Sequence, residues 1–450
     1  MTAVGELSKL VCELDCTALS GETLDWVKMH ILDSVGAMLF GLQGIDGKAI
    51  KKLMQDVMAI DSSKNPQNYK AAMVPSIIFC CSAIRSTELD DIHLASCTTP
   101  GSIILPTAVS LAKFGYITSV QEFISAIIVG YEVLVRFGSA INGPAVLQRG
   151  IWPTYFSAPV GAAAVTARSL KLNQEQTVNA LSTAFTFSSG TVIHPHGKLT
   201  SRWLTVGVAA QNGVIAGFAA QNGLTGNDPL MVESSEQFHG LPFYPVKLTE
   251  DLGKRFMINE TSIKPYPIAY QGLAAVEAFR EIVRHNRLQP QSIDDIRVMV
   301  PSQLIGVINR PTISENRLEL ISSLQYQIAS AAVGISEWLD FESEKFSDQI
   351  KSSSIMGKVR IEASPELISY YPQAWPARVE VTTGGKRYSR ELLYPRGDYR
   401  NQFEWRELIA KLRKVICNSA SQIEIDDIVN LIENLENLDD LSRLVKLLKY

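Results

Sequence analysis

Between Arg85 and Pro106 the chain reads RSTELDDIHLASCTTPGSIILP, which places Glu88, Asp90, Asp91 and His93 within six residues, ahead of a Thr-Thr-Pro-Gly turn and an apolar run. Carboxylates beside an imidazole are the material of proton transfer, because their ordinary pKa values bracket the mildly acidic range and a neighbour readily moves either one. Such groups are also costly to desolvate, so if the flanking apolar segments bury them they must be paired or at work. On composition alone the ordinary reading is a solvated loop between two core helices. A second polar cluster, VIHPHGKLTSR, carries His194, His196 and Lys198. Its His-x-His spacing suits a metal, but no third ligand is apparent, so no metal is predicted and a surface histidine pair is the ordinary explanation. No serine or cysteine stands in a nucleophile motif, which argues against acyl-enzyme chemistry.

The chain that must position these groups has 450 residues, long enough for two or three domains. Its 46% hydrophobic and 20% charged residues are those of an ordinary globular protein. A net charge of −4, with both signs mixed along the chain, offers no basic stripe for nucleic acid and no polybasic arm for a membrane. The expected partner is therefore a small molecule or another protein. Six cysteines without a C-x-x-C pair predict reduced thiols rather than a zinc ribbon or a disulfide framework. Glu6 and Glu13 stand where a secretory signal would need an apolar core, so a cytoplasmic location is expected. The apolar run Phe123–Val135 contains Glu132 and reads as too short to span a bilayer.

Most of the first half has helical period. Leu24, Val27, Ile31, Val35, Met38 and Leu39 form one apolar stripe on a helix of about four to five turns. Ser119 with Glu122 three residues later forms a capping box that opens a helix apolar nearly all round, as suits the middle of a bundle or a subunit interface. The small residues of Ser157–Ala167 and Val206–Ala220 predict tightly packed interior helices, and no glycine pattern follows a strand in the manner of a nucleotide loop. After about Asn259 the texture changes: Ser292–Pro301, Gly357–Ala363, Ala377–Thr383 and Lys386–Leu393 read as strands, the last two joined by a Gly384-Gly385 hairpin turn. Helical period returns at Leu318–Leu339 and from Glu404 onward, and the acidic pairs Asp426-Asp427 and Asp439-Asp440 read as helix-start charges. The reading is mainly α: a large all-helical domain built from residues 1–258 and 395–450, with a smaller α+β lid inserted at 259–394.

The Glu-Leu-Asp-Asp-x-His stretch followed by Pro-Gly-Ser resembles the signature segment of the MmgE/PrpD family, which contains methylcitrate dehydratases, aconitate decarboxylases and an iminodisuccinate epimerase. The resemblance continues in order through Ile31–Gly36, Ile127–Val135, the alanine-rich segment near Gly161, Ala209–Gly213, Lys264 to Pro267, Leu324 to Tyr326 and the Ala377–Thr383 strand. It implies a helical domain with an α+β lid, usually a homodimer, and a site in the cleft between them. The chemistry it implies is proton removal or decarboxylation beside a carboxylate, on a small carboxylate substrate and without metal or organic cofactor.

Family members supply histidines and a lysine for this work, and here most are exchanged. Thr99 stands for the histidine before Pro-Gly-Ser, Trp152 for another, Arg202 for the lysine, Thr205 for a nearby histidine and Leu273 for a further one. Asp91, His93, Lys264 and Tyr326 are retained. Threonine is no base near neutral pH, tryptophan offers one donor and a large apolar face, and arginine holds its proton. The resemblance thus implies Asp91, His93 and Tyr326 as catalytic groups, with Thr99, Trp152, Arg202, Thr205 and Lys264 around the substrate. His194 and Lys198, surface residues in the ordinary reading, become replacements for the lost acid and base if their segment enters the cleft. Asp91 and His93 bonded to each other at a helix end is the structural alternative. A lyase, dehydratase or decarboxylase, is expected on an acid with fewer carboxylates and more apolar bulk than methylcitrate. An isomerase, epimerase or cyclase of a specialised biosynthetic pathway, and an inactive metabolite-binding homologue, are the competing readings.

Overall fold

The computed structural model describes residues 2–62, 72–190, 200–226, 240, 242–312, 317–334, 354–417 and 420–448. They fall into two compact units, one drawn from Met1–Ile193, Thr200–Ile263 and Phe403–Tyr450, the other chiefly from Lys264–Gln402. The protein is mainly α-helical with one small mixed sheet.

Ten helices open the first unit: α1 (Ala3–Glu13), α2 (Gly21–Gly41), α3 (Ile45–Ser62), α4 (Met73–Thr87), α5 (Gly101–Lys113), α6 (Val120–Ala140), α7 (Gly143–Gln148), α8 (Pro153–Ser169), α9 (Gln174–Thr186) and α10 (Ser201–Gln221). α2 runs 21 residues, longer than its apolar stripe suggests, and starts where the Ser20 hydroxyl accepts the Thr23 N–H at 3.1 Å. α6 begins at the predicted capping box: Ser119 Oγ accepts the Glu122 N–H at 3.1 Å and Glu122 reaches back to the Ser119 N–H.

α8 packs against both α6 and α10 in the core, and α10 also packs on α4. Their closeness depends on glycine. A Cβ at Gly213 would overlap the Pro159 carbonyl oxygen, and one at Gly207 would overlap that of Ile78. The run Phe123–Val135 lies inside α6, and the whole helix of 21 residues is long enough to span a bilayer, which corrects the reading that this stretch is too short to do so. By length and composition α6 and α10 are both apolar enough to cross a membrane, yet 94% of the α6 window is buried inside the protein, against 56% for α10. Glu132 lies within α6 and is paired: Arg136 Nε donates to its Oε2 at 2.8 Å, and the Met257 N–H donates to Oε1.

In the second unit the sheet order is β2-β1-β3-β4, with β1 (Asp295–Val300), β2 (Val359–Ala363), β3 (Ala377–Thr383) and β4 (Lys386–Leu392). β1 pairs parallel with β2, Ile296 facing Val359, and antiparallel with β3, Val298 facing Val379. Gly384 and Gly385 both have positive φ, +53° and +77°, the backbone a two-residue hairpin turn between β3 and β4 requires. The alternation of β3 turns Ala377, Val379 and Val381 inward, and the helix Leu273–Asn286 packs on this strand. Near the carboxyl end, Asp426 and Asp427 fall inside the helix Gln422–Glu433 and pair with Arg413 and Arg443 at 2.9 Å each. They are ion-pair residues rather than helix-start charges, whereas Asp440 does accept the Ser442 N–H at the start of Ser442–Leu447.

Candidate functional site

The signature segment is no solvated loop. α4 ends at Glu88, whose backbone is left-handed (φ 56°), and every residue from Glu88 to Leu94 is buried. Beyond the turn the chain pairs at Ile92 with Ser262 and folds back so that His93 pairs with Thr98, which delivers Pro100 to the start of α5. The αL turn lets Glu88 curl back onto its own helix. Arg85 Nη1 lies 3.0 Å from Glu88 Oε2 and 2.9 Å from Asp90 Oδ1. Burial alone would lower the Arg85 pKa, but the two carboxylates outweigh it and raise it, so this guanidinium is a permanent charge.

Asp91 is fully buried and accepts three hydrogen bonds. The Gly101 N–H at the start of α5 donates to Oδ1 at 2.8 Å, and on Oδ2 the Tyr131 hydroxyl (2.6 Å) and His30 Nδ1 (2.8 Å) converge. His30 comes from α2 and Tyr131 from α6, so the carboxylate ties three helices together. Burial first, then the Asp91 charge, raises the Tyr131 pKa well above the usual phenol range, which keeps its proton in place as a donor. His30 packs against Trp26 and Tyr131 at ring-centroid distances of 5.3 and 5.6 Å. Its Nε2 is buried without a hydrogen-bond partner among the described residues. With Nδ1–H donating to the Asp91 carboxylate, Nε2 is the ring nitrogen left open. Close by on α2, burial raises the Asp33 pKa although Lys411 bonds it.

His93 does not bond Asp91. Its Nδ1 accepts the Ser96 N–H at 3.3 Å and lies 2.9 Å from the Ser96 hydroxyl, while Nε2 stands 3.9 Å from Glu260. Asp91 and His93 thus have different partners, and the alternative in which they bond each other is not found: Asp91 alone holds a helix start, through the Gly101 N–H. Thr99 is fully buried, its N–H donating to Thr154 Oγ1 at 3.0 Å. Two residues before Thr154, Trp152 caps α8, and its Nε1 is buried and unpartnered among the described residues. The Arg85 guanidinium lies over the Trp152 ring at 5.2 Å and the Trp203 ring at 5.6 Å. Arg202, on the first turn of α10, stacks on Trp203 at 4.5 Å and stands 3.6 Å from Glu88 Oε1, with its Nε buried and unpartnered. Thr205 bonds back to the Ser201 carbonyl at 3.1 Å, as helix threonines do.

Trp152 and Arg202, two of the predicted binding residues, thus meet around Arg85 and Glu88, which the sequence reading left without a role. Lys264 and Tyr326 belong to the second unit and are both 2% exposed, so Lys264 is no surface lysine. Burial raises the Tyr326 pKa. His194 and Lys198, with His196, lie outside the described residues. Among the described residues no group of three or more His, Cys, Asp or Glu could hold a metal ion.

Comparison with known proteins gives these residues a context. The chain is 26% identical over 319 residues to the "Cis-aconitate decarboxylase-like protein oryM" of Aspergillus oryzae, covering 65% of this chain and 64% of that protein. It is 36% identical over 146 residues to "Cis-aconitate decarboxylase" of Aspergillus terreus, covering 31% of this chain and 29% of that one. Each match spans less than two thirds of the relative. The MmgE/PrpD N-terminal domain matches residues 5–241 and the MmgE/PrpD C-terminal domain residues 266–437. Since the two domains together take in most of the sequence, in order, the chain belongs to the MmgE/PrpD family.

Proposed function

We propose that this chain is a lyase, a decarboxylase or dehydratase needing no metal or organic cofactor, that forms a carbanion beside the carboxyl group of an acid poorer in carboxylates and richer in apolar surface than aconitate. Relatives named as cis-aconitate decarboxylases support the reaction class. The substrate reading is carried by one observation: Arg85 and Arg202 are already paired with Glu88 and Asp90. Two guanidinium charges against two carboxylates leave no surplus cation for a tricarboxylate, while Trp152 and Trp203 offer flat apolar faces. In decarboxylation the bond to the departing carboxyl breaks, its electron pair stays on carbon, and a proton is then delivered there. In dehydration a proton leaves carbon and the hydroxyl departs with one.

Asp91 is a positioning residue in this reading, because both of its oxygens are occupied. The position left open in its network is His30 Nε2, and we assign proton exchange to that atom. The engagement of both Asp91 oxygens also favours a second reading, an inactive homologue that only binds a metabolite. Proton NMR in deuterated buffer tests both, with the pure protein and a panel of citrate-, aconitate- and malate-type acids plus alkylated ones. Conversion or α-proton exchange with the alkylated acids supports the lyase. Rapid turnover of a tricarboxylate refutes the substrate reading, and binding without any exchange supports the inactive homologue.

A further inference from the structure

Two donors meet on a single oxygen of Asp91. Oδ2 accepts the Tyr131 hydroxyl at 2.6 Å and His30 Nδ1 at 2.8 Å, while Oδ1 takes the Gly101 N–H at 2.8 Å. Asp91, Tyr131 and His30 are all buried. The surroundings leave no slack. A Cβ at residue 101 would stand 2.6 Å from Ser34 Oγ and 2.8 Å from Asp91 Oδ1, so only glycine lets this N–H approach the carboxylate. Ser34, one turn beyond His30 on α2, is buried and hydrogen-bonds the Tyr131 side chain, a contact that acts against the rise burial and Asp91 impose on the phenol pKa. A hydroxyl that receives a hydrogen bond donates a stronger one.

A carboxylate stabilises an imidazolium through the charge on the oxygen they share, and a second donor on that oxygen draws part of this charge away. Tyr131 keeps its proton, so it draws on Asp91 without adding a negative charge of its own. Other charges near α2 stand in pairs. Asp33, on the next turn of α2, is bonded by Lys411 of the helix Trp405–Ile416, and Glu132 of α6 pairs with Arg136. Arg85 of α4 holds Glu88 and Asp90, Glu260 of the Met257–Glu260 turn pairs with Arg255, and Asp426 of Gln422–Glu433 with Arg413. α5 carries Lys113 only at its far end. The hydroxyl of Tyr131 is thus the neutral group that shares an oxygen with His30.

Resting on the assignment of proton exchange to His30, we propose that Tyr131 is a positioning residue for the proton step: by holding Asp91 Oδ2 it limits the carboxylate charge that reaches the imidazole, and so sets the pH at which His30 exchanges its proton.

The test is nitrogen-15 NMR titration of the His30 ring in the full chain, together with the pH profile of kcat/KM on an alkylated acid that turns over. Tyr131→Phe removes one hydroxyl and keeps the ring, and thermal melts check its fold. The His30 midpoint should rise by about one pH unit, and the limb of the rate profile that belongs to His30 should move up with it. Ser34→Ala leaves all three bonds to Asp91 in place and weakens only the phenol as a donor, so it should raise the midpoint by less, about 0.3 unit. This second variant decides the matter if Tyr131→Phe does not fold. A midpoint that stays put or falls in the folded variants overturns the proposal, since a residue that merely packs the core would leave it unmoved. A midpoint that rises while the rate profile stays put, or while no acid turns over, supports the hold of Tyr131 on His30 and refutes the part given to His30 in the lyase reading.

Discussion

His30 Nδ1 lies 2.8 Å from Asp91 Oδ2 across 61 residues of sequence, and both side chains are sealed from solvent. This contact changes the part Asp91 plays. A carboxylate whose two oxygens hold a helix start, a phenol and an imidazole is an anchor, and the imidazole's other nitrogen is where the network stays open.

Replacing Asp91 with Ala should therefore damage the fold before it damages chemistry. Three donors lose their acceptor in the core, and we expect a loss of about 3 kcal/mol in unfolding free energy, measured by urea titration. His30→Gln should cost less stability. In the lyase reading it should lower turnover at least about a hundredfold, the ordinary contribution of a proton-transfer group. A His30→Gln protein with unchanged turnover would refute the assignment of Nε2.

Glu88 sets how many charges the Arg85–Arg202 cluster can accept. Glu88→Gln removes one internal counter-ion while keeping the shape, so the ratio of kcat/KM for a tricarboxylate to that for an alkylated acid should rise, by roughly tenfold. Competition kinetics with paired substrates measures that ratio directly. An unchanged ratio would mean that the cluster does not face the substrate.

Stability should weaken in acid through the α6 capping box. Burial on its own would raise the Glu122 pKa, but Lys171 and the Thr118 N–H and hydroxyl together hold it at about 2. The folded value lies below the unfolded one, so the contribution is complete above the ordinary glutamate pKa near 4.5 and is lost as pH falls toward 2. Because solvent screens this partly exposed pair, its size should be no more than about 1 kcal/mol. Glu122→Gln should be less stable than the parent at pH 7 and converge with it near pH 2, as thermal melts at the two pH values would show.

Helix packing should be intolerant at Gly213. Even alanine there meets the Pro159 backbone, which cannot turn aside as a side chain would, so Gly213→Ala should destabilise by about 2 kcal/mol or more despite its better helix propensity. A raised melting temperature would contradict this packing.

What could be read along the chain was whatever depends on near neighbours. The Ser119–Glu122 box, the four strands and the Gly384-Gly385 turn were legible because hydrogen bonds over three residues, alternation and positive φ are local matters. Family membership was legible too, since the motifs around Asp91, Trp152, Arg202 and Lys264 keep their order. The site's working arrangement was not. Nothing along the chain singled out His30, Arg85 and Glu88 had no role, and Asp91 and His93 were placed together although each turns to other partners. Those outcomes rest on contacts between α2, α6 and the segment before α5, and the spacing of residues along a chain says nothing about which helices will meet. Burial then decides the chemistry: the same carboxylate that would be a solvated base on a loop becomes, once three helices close around it, a fixed acceptor with no free lone pair directed at water.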